Sequence, residues 1–210
     1  MAFAALRKQF LATVILAISL VACKPADIST LPAMTLEGKV YCIIEIPAGT
    51  NKKIEYNKST RKFEVDQRDG QDRIINYLPY PGNYGFIPST YSDPEKGGDG
   101  DALDILVICE SLPTGTVIEV IPMGMLKLVD DGESDFKIIA IPSDPKFQTV
   151  SAGSFEELLQ KYPTLTDMIE GWFLNYDSDP SAVEGWGDEE AAKEEIRMKM
   201  SPSVGTRAYP

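Results

Sequence analysis

Three carboxylates fall within six residues in the stretch Lys96-Gly97-Gly98-Asp99-Gly100-Asp101-Ala102-Leu103-Asp104. Gly97, Gly98 and Gly100 let the backbone fold tightly around them, and Ile105 to Ile108 then reads as a short buried strand. A loop running into a rigid strand can hold Asp99, Asp101 and Asp104 convergent and partly desolvated. Like charges this close need a shared proton or a multivalent cation. In a chain with no histidine, oxygen donors alone favour a hard ion such as Mg2+, Mn2+ or Ca2+. The bland alternative is a solvated turn before a strand, since Asp and Gly are ordinary turn residues. A Ca2+-binding helix–loop–helix is excluded, because Leu103 stands at the fifth loop position and no helical pattern precedes the loop.

A second acidic turn, Asp130-Asp131-Gly132-Glu133-Ser134-Asp135-Phe136-Lys137, delivers a lysine into the strand that follows. Asp135 and Lys137 are two apart on a strand and so share a face, as do Lys53 and Glu55. Glu45 interrupts the apolar run Val40-Tyr41-Cys42-Ile43-Ile44-Glu45-Ile46-Pro47, either on a wet face or as a ligand. Jointly these residues describe acids and bases facing one cavity, although each pair alone is equally a surface salt bridge. The run Tyr80-Pro81-Gly82-Asn83-Tyr84-Gly85-Phe86 adds phenols, or is simply a packed proline turn.

The elements that must position them are strands first and helices afterwards. Strands are expected at 40–47, 105–108, 118–128 and 136–141, with a hairpin of 53–56 and 62–66 turning at 57–60. After Ser154 the apolar spacing becomes helical: Phe155 to Tyr162, Leu165 to Tyr176, and Glu189 to Met200. That order indicates an α+β domain, a small closed β-barrel with helices packed outside.

Hydrophobic residues make up 43% of the 210 and charged residues 25%, as in a globular protein. The net charge of −12 excludes nucleic acid as a partner, since phosphate backbones need a basic surface. Arg7 and Lys8 ahead of the apolar run Phe10 to Val21, ending at Leu20-Val21-Ala22-Cys23, resemble a bacterial lipoprotein signal. The expected organisation is a signal peptide at 1–22, lipidation at Cys23, a tether at 23–36, one domain at 37–200 and a tail at 201–210. The expected location is accordingly outside the cytosol, lipid-anchored to a membrane and facing the periplasm or the exterior. Cys42 and Cys109 either pair or sit as small buried hydrophobes.

Taken together, the stretches from about Val40 to Ile196 resemble the family I soluble inorganic pyrophosphatases. The block Asp99-Gly100-Asp101-Ala102-Leu103-Asp104 matches that family's signature, with Ala102 where proline is usual. The resemblance implies a five-stranded barrel of the oligonucleotide-binding type and Mg2+-dependent hydrolysis of inorganic diphosphate, with several ions per site and Mn2+ as a possible substitute. Asp99, Asp104 and Asp135 would hold the metal pair carrying the attacking water, with Asp130, Glu45 and Glu55 as further metal ligands. Asp101 would be the general base. Lys53, Lys137, Tyr84, Tyr176 and an arginine would bind phosphate. Arg73 is preferred to Arg68 for that arginine, and a homo-oligomer is expected. Asp177 departs from the pattern, standing where a phosphate-binding lysine is usual. It motivates the alternative of a non-catalytic metal- or phosphate-binding lipoprotein on the same fold.

Overall fold

Val40-Tyr41-Cys42-Ile43-Ile44-Glu45-Ile46 is too continuously apolar for a strand with one wet face. It forms β1 (Val40–Ile46), with all but Tyr41 and Glu45 buried, in a computed structural model that describes residues 26–177 and 180–201. The excursion that follows is built of hairpins: β2 (Ile54–Asn57) with β3 (Lys62–Val65), and β4 (Gln67–Arg68) with β5 (Gln71–Asp72). Next come β6 (Asn83–Phe86), β7 (Asp104–Val107), the long β8 (Val117–Asp130), β9 (Glu133–Ser134) and β10 (Lys137–Pro142). The C-terminal part holds α1 (Phe155–Lys161), α2 (Leu165–Phe173), β11 (Ser181–Asp188) and α3 (Glu189–Lys199).

The main sheet closes on itself. β1 pairs with β6, β6 with β7, β7 in parallel with β10, β10 with β8, and β8 returns to β1. These five strands form the expected small barrel, with β9 and β11 added to the edges of β8. Successive residues of each strand serve different cores. Ile105 and Val107 join Ile44, Ile138 and the α3 residues Ala192 and Ile196, whereas Leu106 joins Leu126, Ile139 and the α2 residues Ile169, Trp172 and Phe173. With both faces covered, an alternating polar pattern has no place on these strands.

Several features differ from the sequence expectations, among them the barrel strand β6, which lies in a run that also reads as a packed proline turn. The strand β11 carries Gly185 and Gly187, poor strand formers that conceal it; its long antiparallel pairing with β8 holds it in place. Helix α2 stops at Phe173 rather than running to Tyr176. There Asn175 folds back, its Nδ2 donating to the Gly171 carbonyl at 2.8 Å and its N–H to Trp172 at 3.1 Å. Tyr176 and Asp177 thereby leave the helix axis. Finally, the described part of the expected tether is docked. Ala33 is 2% exposed within the core, the Tyr56 hydroxyl donates to Asp27 at 3.2 Å, and the Ser89 N–H donates to the Ser29 carbonyl. Cys42 and Cys109 are both free thiols. Cys23 and the rest of the expected leader lie outside the described residues. Among those residues no helix is long and apolar enough to cross a membrane.

Barrel closure is tightest at Gly85, where only a hydrogen atom fits. A Cβ on Gly85 would lie 1.9 Å from the Ile43 carbonyl oxygen on the paired strand. Gly85→Ala is expected to destabilise the fold by about 3 kcal/mol, the upper end of ordinary overpacking costs. For a chain of this size that lowers the Tm by roughly 6–12 °C, measurable by calorimetry.

Candidate active site

The site forms where barrel strands end and their loops begin. The parallel register of β7 and β10 sets Lys137 opposite Asp104, and the antiparallel register of β6 and β7 sets Phe86 opposite Asp104. The Lys137 ammonium, 3% exposed, donates to Asp104 Oδ2 at 2.6 Å and to Asp135 Oδ1, which stands two residues before it on the same face. The Tyr84 hydroxyl, expected on phosphate, donates to Asp104 instead. A link between the two acidic turns completes this wall: the Ser134 N–H donates to the Gly97 carbonyl at 2.7 Å, and Gly98 bridges Ser134 in parallel. Gly98 is required there, because a Cβ would come 2.6 Å from the Ser92 carbonyl carbon. Asp99 accepts the Asp101 N–H at 3.0 Å, leaving the Asp101 side chain 79% exposed at the rim.

The opposite wall comes from the hairpin excursion and the end of α2. Lys53 Nζ reaches Glu55 at 2.8 Å and Asp66 at 4.0 Å. Arg73 Nη1 donates to Asp66 at 3.4 Å, while its Nη2 donates to Asp177. Trp172 fixes this side: its indole N–H donates to the Leu78 carbonyl at 2.9 Å, and its ring stacks on Tyr176 with centroids 4.8 Å apart.

Between the walls lies a cavity of about 300 Å³. Every residue expected at the site, Cys23 excepted, lines it: Glu45, Lys53, Glu55, Arg73, Tyr84, Asp99, Asp101, Asp104, Asp130, Asp135, Lys137 and Tyr176. Arg68 lines it as well; the side chain of Arg73 is 15% exposed and that of Arg68 50%. Lys58 and Tyr80 line it too; the sequence reading passed over Lys58 and named Tyr80 only within its aromatic run. Lys58 hangs from the hairpin turn with Nζ 3.7 Å from Asp101, and Tyr80 packs on Trp172 at 4.5 Å. Lys58 sits in a polar turn that gave no signal; the Pro-Gly run after Tyr80 did mark its surroundings.

The charges are strongly coupled. Burial pushes the Glu45 carboxyl up to about 8, against the Tyr56 N–H that donates to it at 2.6 Å, and Asp104 and Glu55 push it in the same direction as burial. Burial also raises Asp135, to about 6, with Lys137 opposing and Asp104 assisting. Burial works against the Lys137 ammonium, but Asp104 and Asp135 outweigh it and hold the amine charged. Burial raises Tyr176 to about 12 and Tyr84 well above the usual phenol value, so both remain hydroxyl donors.

Carboxylate oxygens with no histidine in the chain suit a hard divalent cation. Burial raises the Glu45 and Asp135 carboxyls, and a bound cation would favour their ionised forms. As placed, Asp104 and Asp135 turn toward Lys137, and among the described residues no three acids already enclose an ion position. The available donors are Asp99, Asp104, Asp130 and Asp135 on one wall, with Glu45 and Glu55 beyond.

Known proteins carry the same architecture. The inorganic pyrophosphatase of Neisseria meningitidis is 37% identical over 168 residues, 78% of this chain and 88% of that protein. That of Haemophilus influenzae is 36% identical over the same shares. Among solved structures, the inorganic pyrophosphatase of Neisseria gonorrhoeae superposes with a TM-score of 0.66 at 32% identity, covering 81% of this chain and 94% of that one. The enzyme from Thermus thermophilus gives 0.70 at 28% identity, covering 83% and 97%.

This likeness corrects the expected location. The aligned region takes up 88% of the Neisseria and Haemophilus proteins and 92% of the Synechocystis one, so these relatives are little more than the domain itself. The exported, lipid-anchored location expected from residues 1–23 is therefore not retained; among the described residues no helix is long and apolar enough to cross a membrane. The inorganic pyrophosphatase family matches from within the first barrel strand to just beyond the last helix, residues 42–202, and the chain belongs to that family.

Proposed function

We propose that this cavity hydrolyses inorganic diphosphate to two orthophosphates with Mg2+ held by its acidic wall, Mn2+ serving as a substitute. The observation that carries the reading is the opposition of an aspartate wall to a lysine and arginine wall across about 300 Å³, a space suited to a small polyanion accompanied by cations. When bound, the metal supplies positive charge to the diphosphate and acidifies the attacking water. Asp99, Asp104 and Asp135 are its main ligands, with Asp130, Glu45 and Glu55 contributing. Asp101 takes the proton from the attacking water; its backbone is tied by Asp99 and by the Ser92 N–H, while its carboxylate stays open to the cavity. Lys53, Lys137, Arg73 and Arg68 neutralise the phosphoryl oxygens and the leaving group. Tyr176 donates its hydroxyl to phosphate, and Tyr84 orients Asp104. The catalytic domain is taken as residues 37–200. A homo-oligomer is part of the same reading, supported by the exposed apolar side chains of Ile74, Leu78 and Met168.

Phosphate release from diphosphate is expected with Mg2+, absent with chelator and restored by added Mg2+; no release with Mg2+ present overturns the reading. Asp101→Asn keeps the shape of the side chain but removes the base, so kcat should fall roughly 10²–10⁴-fold. Its Mg2+ affinity, measured by calorimetry, should stay at the wild-type value. The burial of Arg73 separates it from Arg68. Losing a charge-assisted hydrogen bond of about 1.5–3 kcal/mol, Arg73→Gln should raise KM roughly 10- to 100-fold. The half-exposed Arg68 is more screened, and Arg68→Gln should raise KM only about threefold. Steady-state kinetics on the two variants checks the order.

A further inference from the structure

Asp177 stands where a lysine facing the bound phosphate is usual in the family. Its carboxylate lies on the two arginines. Arg73 Nη2 donates to Asp177 Oδ2, and Arg68 Nη1 lies 3.4 Å from Asp177 Oδ1. Arg73 already meets Asp66 through Nη1, so a carboxylate engages each of its terminal nitrogens. The side chains of Arg73 and Asp177 are each only 15% exposed, which limits solvent screening of their attraction. Asp177 reaches them from a separate, open cavity of about 750 Å³. Arg68, Arg73 and Tyr176 line both spaces, while Asp177 lines only the second. The early end of α2 at Phe173 directs the chain there, since a helix continued through Tyr176 would carry Asp177 along a different path.

We propose that Asp177 is an internal competitor for phosphate: its carboxylate holds the guanidiniums of Arg68 and Arg73, and an anion binds the cavity fully only when that hold is released. The inference rests on the reading that these arginines grip phosphate. A guanidinium offers a fixed fork of donors, and a carboxylate and a phosphoryl group seek the same fork. With Asp66 and Asp177 both on Arg73, its charge is balanced before any substrate arrives. An intramolecular competitor multiplies the apparent affinity by the fraction of molecules in the released state, and does so equally for every anion that needs those donors. Simple repulsion behaves differently, because it grows with the charge on the ligand.

Asp177→Asn keeps the size of the side chain and removes the charge. In this variant the KM for Mg-diphosphate and the dissociation constant for inorganic orthophosphate should fall by the same factor, about three- to tenfold, with kcat not reduced. Asp177→Glu, which restores a carboxylate, should return both constants toward wild type. In chains carrying Arg68→Gln and Arg73→Gln together, Asp177→Asn should change neither. A rise in KM for Asp177→Asn would mean that Asp177 positions Arg73 for substrate, and overturns the proposal. So does a gain that survives removal of both arginines, or a gain much larger for diphosphate than for orthophosphate, either of which indicates through-space repulsion. Calorimetric titration with orthophosphate needs no turnover. A wild type that fails to hydrolyse diphosphate therefore counts against the proposed function, while the orthophosphate comparison still decides the role of Asp177.

Discussion

A lysine ammonium sealed at the end of a barrel strand organises the rest of this protein. Lys137 is 3% exposed, and an unpaired charge there would carry a desolvation penalty of several kcal/mol. Asp104 and Asp135 offset it from two sides. The dependence is mutual, because those two carboxylates would repel one another without the ammonium between them. The arrangement also explains why the barrel must close in one register: a one-residue slip of β10 against β7 would turn Lys137 to the other face and leave Asp104 without it. Fold and site are thus held by one charge balance.

The same balance extends outward through the loops. The Ser134–Gly97 hydrogen bond ties the two acidic turns together, so Asp99 and Asp135 move as parts of one wall. Across the cavity, Lys53, Arg73 and Arg68 are matched with Glu55, Asp66 and Asp177. A chain of net charge −12 that acts on a polyanion needs such local neutralisation, and it needs cations from solution beyond that. The carboxyl of Glu45 is raised to about 8, chiefly by burial and also by the neighbouring Asp104 and Glu55. In this respect the pairing of each basic side chain is part of the chemistry: a substrate phosphate gains only the difference between its own grip and that of the resident carboxylate.

Much of this was legible in the residues. The runs Val40–Ile46 and Ile105–Ile108 are β-branched and apolar, and such runs have no stable place except in a covered sheet. Asp99, Asp101 and Asp104 announce themselves because acids this close cannot all ionise in a dry place without a counter-charge. Asp135 and Lys137 share a face by the simple period of a strand. These are local facts, set by steric preference, spacing and like-charge repulsion within a few residues, and the sequence by itself determined them.

Only the tertiary structure decided the rest. β11 exists because β8 offers it an edge, an interaction absent from its own Gly-rich sequence. Lys58 reaches the cavity because a hairpin turn folds over it. Both candidate arginines line the cavity, since both turn inward from the same excursion. Asp177 meets Arg73 across 104 positions of chain, where the helix end at Phe173 and not any local pattern sets its direction. Electrostatic partners are chosen by distance in space, and distance in space is fixed by how the barrel closes; a reading confined to neighbours along the chain could place the charges but not pair them.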